Sequence, residues 1–331
     1  MKYDILAIGD MVIDAFIRLK EAEIQCDANK ENCKLVMRYA DKLPYEFVEV
    51  LPAVGNSANA AVCAARLGLT SALRSYVGED TNGADCFSAL QREGVDTSFV
   101  IRDPNNKTNY HYVLWYESDR TILIKHEQYA YSFPVLSENP KWIYLSSMSE
   151  GDAAKTYHQE IIRYLEKNKD VKLAFQPGTF QMKIPINEIQ GLYDQTEIFF
   201  CNKEEAQRIL NTNESNVKKL MTSIRDIGPN MVVITDGRRG SSIMTDRGAW
   251  HAPMYPDPKP PLERTGAGDA AASTTVAYII RGLAPEEAML RGLINSANVV
   301  QEVGAQKGLL THDQIEEWYA RRPVDFIATA L

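Results

Sequence analysis

The 331 residues suffice for one large α/β domain with a sizeable core and a small appendage. Hydrophobic residues make up 45% and charged residues 24%, and the formal charge is −8, which excludes a broad positive field for nucleic acid or an anionic membrane. The opening MKYDILAIGD carries Asp4 and Asp10 and no long apolar core, so it reads as a first strand rather than a leader, and no run of eighteen apolar residues offers a membrane span.

In chain order, Tyr3–Ile8 is a short buried strand, and Asn56–Leu67 places Ala, Val and Leu at helical spacing until Gly68 stops it. Ser71–Val77 is strand-like, and Gly83–Arg92 is helical and ends near Gly94. Trp142–Leu145, Lys172–Phe175, Ile198–Phe200 and Met231–Thr235 are further apolar strands, with helical patterns between them at Ala153–Lys167, Lys203–Leu210 and Val217–Asp226. This alternation predicts βαβ units, a mainly parallel sheet and helices on both faces, a three-layer α/β/α domain. Ala267–Arg281 and Pro285–Val303 are two long helices, with Pro285 suited to a first turn.

Two segments depart from the rhythm. Residues 14–51 alternate apolar and polar residues around the charged stretch AEIQCDANKENCK, and 108–127 read as a hairpin turning at Glu117–Arg120. Neither can bury two faces. Both are expected in a small antiparallel β lid, leaving 1–13, 52–107 and 128–331 as the main domain. The five cysteines (Cys26, Cys33, Cys63, Cys86, Cys201) form no C-x-x-C, so free or buried thiols in a reducing cytoplasm are expected rather than disulfides or a zinc site. The histidines lack metal-ligand spacing, and structural or surface roles are expected for them.

The densest chemical signal is Glu263-Arg264-Thr265-Gly266-Ala267-Gly268-Asp269-Ala270, a glycine-rich turn running into a helix. A helix start presents unpaired N–H groups and a positive dipole end, which together make an anion hole. A carboxylate beside an anion is unfavourable unless its basicity is needed, as when an alcohol attacks a phosphoryl group. The plainer alternative for Asp269 is a helix cap. Val54-Gly55-Asn56-Ser57-Ala58-Asn59 is a second small-residue loop opening a helix, and its asparagines suit hydroxyl-rich ligands as well as ordinary capping.

Together these stretches resemble the ribokinase-like (PfkB) carbohydrate and nucleoside kinases over nearly the whole chain. Gly9 and Asp14 are similar to the family's opening strand, VGNSANAAVCAARLG to its first signature, and YVGEDTNGADCFSALQREGVDTSFV to its V-G-x-D segment. Asn202-Lys203-Glu204-Glu205 resembles N-x-x-E, the stretch from Val233 to Gly240 resembles the strand and turn near the nucleotide, and RTGAGDA resembles the second signature. The resemblance implies an ATP-dependent kinase acting on a sugar-like hydroxyl, with Asp269 as base and the N–H groups of Gly266, Ala267 and Gly268 as anion hole. It further implies Asp14, Gly55, Asn56 and Asn59 on substrate hydroxyls, Thr235, Gly237 and Gly240 at the phosphates, and Asn298 by the adenine. Asn202 and Glu205 would position Mg²⁺ through water, and Glu263 stands where members with a monovalent-cation site commonly carry Asp, leaving a potassium effect open.

Val54 departs from the first glycine of the usual pair, which could reshape the sugar pocket. A nucleoside stacking on lid aromatics is the first rival acceptor. A phosphorylated sugar, needing cations such as Arg38, Lys42, Lys107 or Arg120, is another. A silent sugar-binding regulator would not need a carboxylate in an anion hole, and no G-x-G-x-x-G follows the first strand to support an NAD enzyme. A homodimer joined through the lids is implied, with Val36, Tyr39, Tyr112 and Leu114 as contacts.

Overall fold

The computed structural model describes residues 2–27, 33–117 and 119–331, so part of the charged 22–34 stretch and Ser118 of the expected turn lie outside the described residues. The chain opens with β1 (Ile5–Ile8), β2 (Val12–Leu19), β3 (Glu23–Gln25), β4 (Lys34–Val36), β5 (Tyr45–Val54) and α1 (Asn56–Arg66). It continues with β6 (Ser71–Arg74), β7 (Tyr76–Gly78), α2 (Thr81–Arg92), β8 (Ile101–Asp103), β9 (Tyr110–Tyr116) and β10 (Asp119–Leu123). Next come β11 (Trp142–Leu145), α3 (Asp152–Lys167), β12 (Lys172–Phe175), α4 (Gln190–Gln195), β13 (Thr196–Asn202), α5 (Lys203–Ile209), α6 (Val217–Ile227) and β14 (Met231–Thr235). The chain ends with β15 (Ser241–Thr245), β16 (Gly248–Ala252), α7 (Ala267–Ile280), α8 (Pro285–Val299), α9 (His312–Ala320) and β17 (Thr329–Ala330).

The short apolar runs are strands because both of their faces are covered. They form one nine-stranded sheet in the order β17-β16-β15-β14-β13-β12-β11-β1-β6, parallel from β6 to β14 and antiparallel beyond it. On one face α1, α2, α7, α8 and α9 bury Val62, Leu90, Val276, Leu290 and Ile315; on the other α3, α4, α5 and α6 bury Ile161, Leu192, Ala206 and Leu220. Three layers result, as the alternation of elements requires. The antiparallel edge and α9 had no counterpart in the sequence reading, and the expected Ser71–Val77 strand divides into β6 and β7. The helix expected to reach Val303 stops at Val299, and the following turn carries residues that touch both sheets.

A second sheet has the order β10-β9-β2-β5. Its outer pairs are antiparallel, whereas the central β2–β9 pair is parallel because the chain re-enters the lid only after passing through α1, β6 and α2. Alternation gives this sheet two distinct faces. Phe16, Leu51, Val113 and Trp115 turn inward against Val303 of the main domain. Tyr112, Leu123, Val48 and Val50 turn outward and stay about half exposed.

The expectation of free thiols fails for one pair: Cys26 and Cys33 form a disulfide. Gln25 pairs with Lys34 at the end of the β3–β4 ladder, so the next residues outward face each other across it. That register, invisible in the spacing alone, brings the sulfurs together. Cys63, Cys86 and Cys201 are free and buried, as expected.

Candidate active site

The parallel strands β1, β12, β13 and β14 end on one side of the sheet, at Asp10, Gln176, Asn202 and Thr235, where open α/β sheets bind ligands. Helix α7 points its N-terminus at the same place. It starts at Gly266, whose φ of +79° and whose missing Cβ are both required: a Cβ would lie 2.4 Å from the Cα of Ala305. The buried small residues Ala270, Ala271 and Ala272 let α7 lie close to α1 and α8, which holds the turn rigidly. The N–H groups of Ala267, Gly268 and Asp269 have no intrahelical acceptor and open toward solvent, and the buried Oγ1 of Thr265 has no partner among the described residues.

Asp269 sits in the first turn of α7 and is held by three amides. Nδ2 of Asn56 donates to Oδ1 at 2.8 Å, Nδ2 of Asn59 to Oδ2 at 2.8 Å, and Nε2 of Gln176 to Oδ1 at 3.0 Å. Asn56 and Asn59 lie three residues apart in α1 and so share a face. The sequence reading gave these asparagines to substrate hydroxyls; in the structure their amides hold the Asp269 carboxylate. Gln176 was missed, although its place directly after a parallel strand is the available signal. Burial raises the Asp269 carboxyl above its ordinary value, the three amides pull it down, and the charge of Asp14 adds to the rise. The raised carboxyl forms part of the wall of the adjoining cavity.

Beside it lies a cavity of about 210 Å³ whose wall includes Arg120, Asn202, Glu205, Thr235, Arg264, Gly268 and Asp269. Asn202 and Glu205 form a capping box at the start of α5, each side chain bonding the other's backbone N–H at 2.8 Å. Burial raises the Glu205 carboxyl, and one of its oxygens remains available to the cavity. Among the described residues no three His, Cys, Asp or Glu side chains converge as a metal cage. The donors present fit a cation that keeps its waters and is held mainly by phosphates, as Mg²⁺ is.

The cavity continues into a second one lined by Thr235, Gly237, Gly240, Asp257, Leu293, Ser296, Ala297 and Val300. Asn298 is absent from that wall. Leu293, Ser296, Ala297 and Val300 follow the i, i+3, i+4, i+7 spacing of one helix face, and Asn298 points off it to donate to the carbonyl of Gly308 at 2.7 Å. Glu263 is buried, and both of its oxygens are engaged: Oε1 accepts from Gly304 N at 2.9 Å and Oε2 from Thr265 N at 2.6 Å, with Arg120 Nε 3.9 Å away. It ties the turn after α8 to the anion-hole turn. Arg264 on both cavity walls was not foreseen, and of the four lid-region cations considered only Arg120 lines the first cavity.

Asp14 lies in β2 on the inner face of the second sheet beside His111, and Gly55 caps α1 behind Asn56. Asp10 accepts bonds from Tyr131 Oη at 2.8 Å, the backbone N–H of Ser149 at 2.9 Å and, through Oδ2, meets Nδ1 of His126 at 2.9 Å. His111 and His126, read as structural or surface residues, thus stand beside the carboxylates of Asp14 and Asp10, while His158 is buried and pushed down to about 4 by desolvation.

The chain as a whole finds its match in known proteins. The model of the pfkB family carbohydrate kinases matches residues 19–312. The chain belongs to that family. An ATP-dependent 6-phosphofructokinase of Thermoanaerobacterium thermosaccharolyticum is 25% identical over 330 residues, covering 96% of this chain and 94% of that protein. A nucleoside kinase of Methanothermobacter thermautotrophicus is 25% identical over 284 residues, covering 84% and 83%. The fold matches Arabidopsis thaliana ribokinase complexed with ribose and ATP at a TM-score of 0.77 and 17% identity, covering 96% of this chain and 98% of that one. As a pfkB-family member the protein is an ATP-dependent phosphotransferase acting on a hydroxyl of a sugar or sugar-like molecule. No helix among the described residues is long and apolar enough to cross a membrane.

Proposed function

We propose that Asp269 takes the proton of the acceptor hydroxyl as that oxygen attacks the γ-phosphorus of ATP. The new O–P bond forms while the bond to the β–γ bridging oxygen breaks, and ADP leaves with the electron pair. The observation carrying this reading is the Asp269 carboxylate, oriented by Asn56, Asn59 and Gln176 and set in the turn whose free N–H groups face the same cavity. The N–H groups of Gly266, Ala267 and Gly268 offset charge on the transferring group, with Arg120 and Arg264 across the cavity. Thr235, Gly237 and Gly240 receive the remaining phosphates, and Asn202 and Glu205 hold hydrated Mg²⁺, which neutralises phosphate charge when bound. Positioning and electrostatics do the work.

Glu263 serves as a clamp between two turns, and no potassium requirement is assigned to it. The four-stranded sheet acts as a lid over the acceptor, and its outward face suits a second copy of the chain. Tyr112 and Leu114 lie there with Val48 and Val50, and an apolar sheet face of this kind needs a second layer. A homodimer through the lids follows, in which Leu114→Asp is expected to give monomers by light scattering. Cytoplasmic residence fits an ATP consumer, and reducing thiols there would reach the Cys26–Cys33 bridge on the exposed β3–β4 arm.

ADP release over a panel of sugars, sugar phosphates and nucleosides tests the reading. The nucleoside alternative rested on lid aromatics; Tyr112 belongs to the outward set, Tyr110 packs partly buried against the main-domain core, and Trp115 packs on Phe47 and Arg18.

A further inference from the structure

The two cysteines of the β3–β4 arm are exposed, whereas Cys63, Cys86 and Cys201 are buried and that burial raises their thiols, Cys86 to about 12. A small thiol in solution therefore reaches the Cys26–Cys33 bridge before any other sulfur. The arm that this bridge closes is slight. Its ladder pairs only Glu23 with Val36, Ile24 with Leu35 and Gln25 with Lys34, and all but Leu35 and Val36 are exposed. Such a ladder is marginal by itself, and a cross-link at its end removes open conformations. The arm also lies over the strand that carries Arg120. Ile24, Cys33 and Leu35 line one cleft with Leu114, Tyr116 and Thr121 of the β9–β10 hairpin, and Tyr116 lines a second with Val36 and Met37 at the base of the arm. Thr121 pairs with Leu114 on the outward face, and Arg120 with Trp115 on the inward face. β10 thus has the arm on one side. On the other stands Arg120, which enters the wall of the cavity beside Asp269 and comes within 3.9 Å of Glu263. Its Nε is buried with no hydrogen-bond partner among the described residues, so the place of β10, rather than a bond at that nitrogen, sets where the guanidinium stands.

We propose that Cys26 and Cys33 form a thiol–disulfide switch: the closed bridge holds the arm over β9–β10 and Arg120 in the cavity, and opening it frees the hairpin and slows transfer. The effect on transfer rests on the kinase reading above; the effect on the arm does not. The reagent class is a small thiol or dithiol. One thiolate attacks a bridge sulfur, a mixed disulfide forms, and the other cysteine leaves as a thiolate and takes up a proton; a second thiol then releases the first cysteine. Two reagent thiols are oxidised to one disulfide and the bridge is reduced to two thiols, so electrons and protons balance. Exchange with the oxidised reagent recloses the bridge. The second cavity, with Thr235, Gly237 and Leu293 in its wall, includes no residue of the lid, so nucleotide binding stays in place when the arm is released. Arg120 is thereby a group whose position the arm controls.

The test holds the full chain in oxidised or reduced dithiothreitol, locates open thiols by alkylation and mass spectrometry, and follows ADP release and amide hydrogen exchange. Reduction is expected to open Cys26 and Cys33 alone to alkylation and to speed exchange in β9 and β10 but not in β12, β13 and β14. It is expected to lower kcat about 3–10-fold with the KM for ATP little changed, and reoxidation to restore the rate. The double variant Cys26→Ser, Cys33→Ser is expected to match the reduced protein in either buffer. Arg120→Ala is expected to lose rate and, with it, the response to the buffer. A bridge that is absent from the oxidised protein, one that resists millimolar dithiol in folded protein, or an opened bridge that does not lower the rate of an active enzyme overturns the switch and leaves the kinase reading standing. Transfer to no sugar, sugar phosphate or nucleoside in either buffer overturns the kinase reading; hydrogen exchange in β9 and β10 then decides by itself whether the bridge holds the arm.

Discussion

In the nine-stranded sheet β1, β6 and β11 are buried at every residue, whereas in the four-stranded sheet β5 is exposed over half of its length. The first sheet is covered on both faces and carries the ends that hold Gln176, Asn202 and Thr235. The second is covered on one face, by a small cluster around Phe16, Trp115 and Val303, and brings Asp14, His111 and Arg120. The difference separates two tasks. Phosphoryl transfer needs groups fixed to within fractions of an ångström, which a doubly covered sheet supplies, while acceptor entry needs a wall that can move away.

The sharpest way to break this division is at the base. Asp269→Asn keeps size and removes the proton acceptor, so kcat is expected to fall ~10²–10⁴-fold with nucleotide binding retained by calorimetry. Turnover like wild type would reduce Asp269 to a cap. Next in size is the junction of the sheets. Gly304 has a φ of +81°, and a Cβ there would lie 2.1 Å from Cδ1 of Leu51 in the lid. Gly304→Ala is expected to lower stability by about 1–3 kcal/mol and to raise acceptor KM more than the KM for ATP. Equal effects on both would show that lid and nucleotide site are not separable.

Glu205→Gln tests the rigid side, with an expected rise in the Mg²⁺ concentration for half-maximal rate of about tenfold and an unchanged acceptor KM. A magnesium titration decides it. The smallest effect expected is on pH. Because the Asp269 carboxyl is raised in the folded protein, kcat should fall as pH drops through that raised value, at a higher pH than an ordinary aspartate would give. Asp14→Asn removes a negative charge that contributes to the rise, so the acidic limb should move to lower pH. A limb that stays put would mean that the lid carboxylate and the base do not communicate.

The sequence by itself determined the elements whose pattern is local. Apolar runs of four or five residues read as strands with both faces covered, and the turn at Gly266 read as the opening of a helix. It also marked the lid segments, because alternating residues bury one face. Side-chain destinations depended on residues far away in the chain. Asn56 and Asn59 meet Asp269 across a separation of more than 200 positions, and only the packing of α1 on α7 makes them its holders. Asn298 faces Gly308 because the rotation of α8 about its axis is set by its neighbours, and Cys26 meets Cys33 through the register of a short ladder. His111 looked like an ordinary strand histidine until the parallel pairing of β2 and β9 set it beside Asp14. Local periodicity fixes what an element is; which of its side chains meet is a property of how elements pack, and no short window of residues contains it.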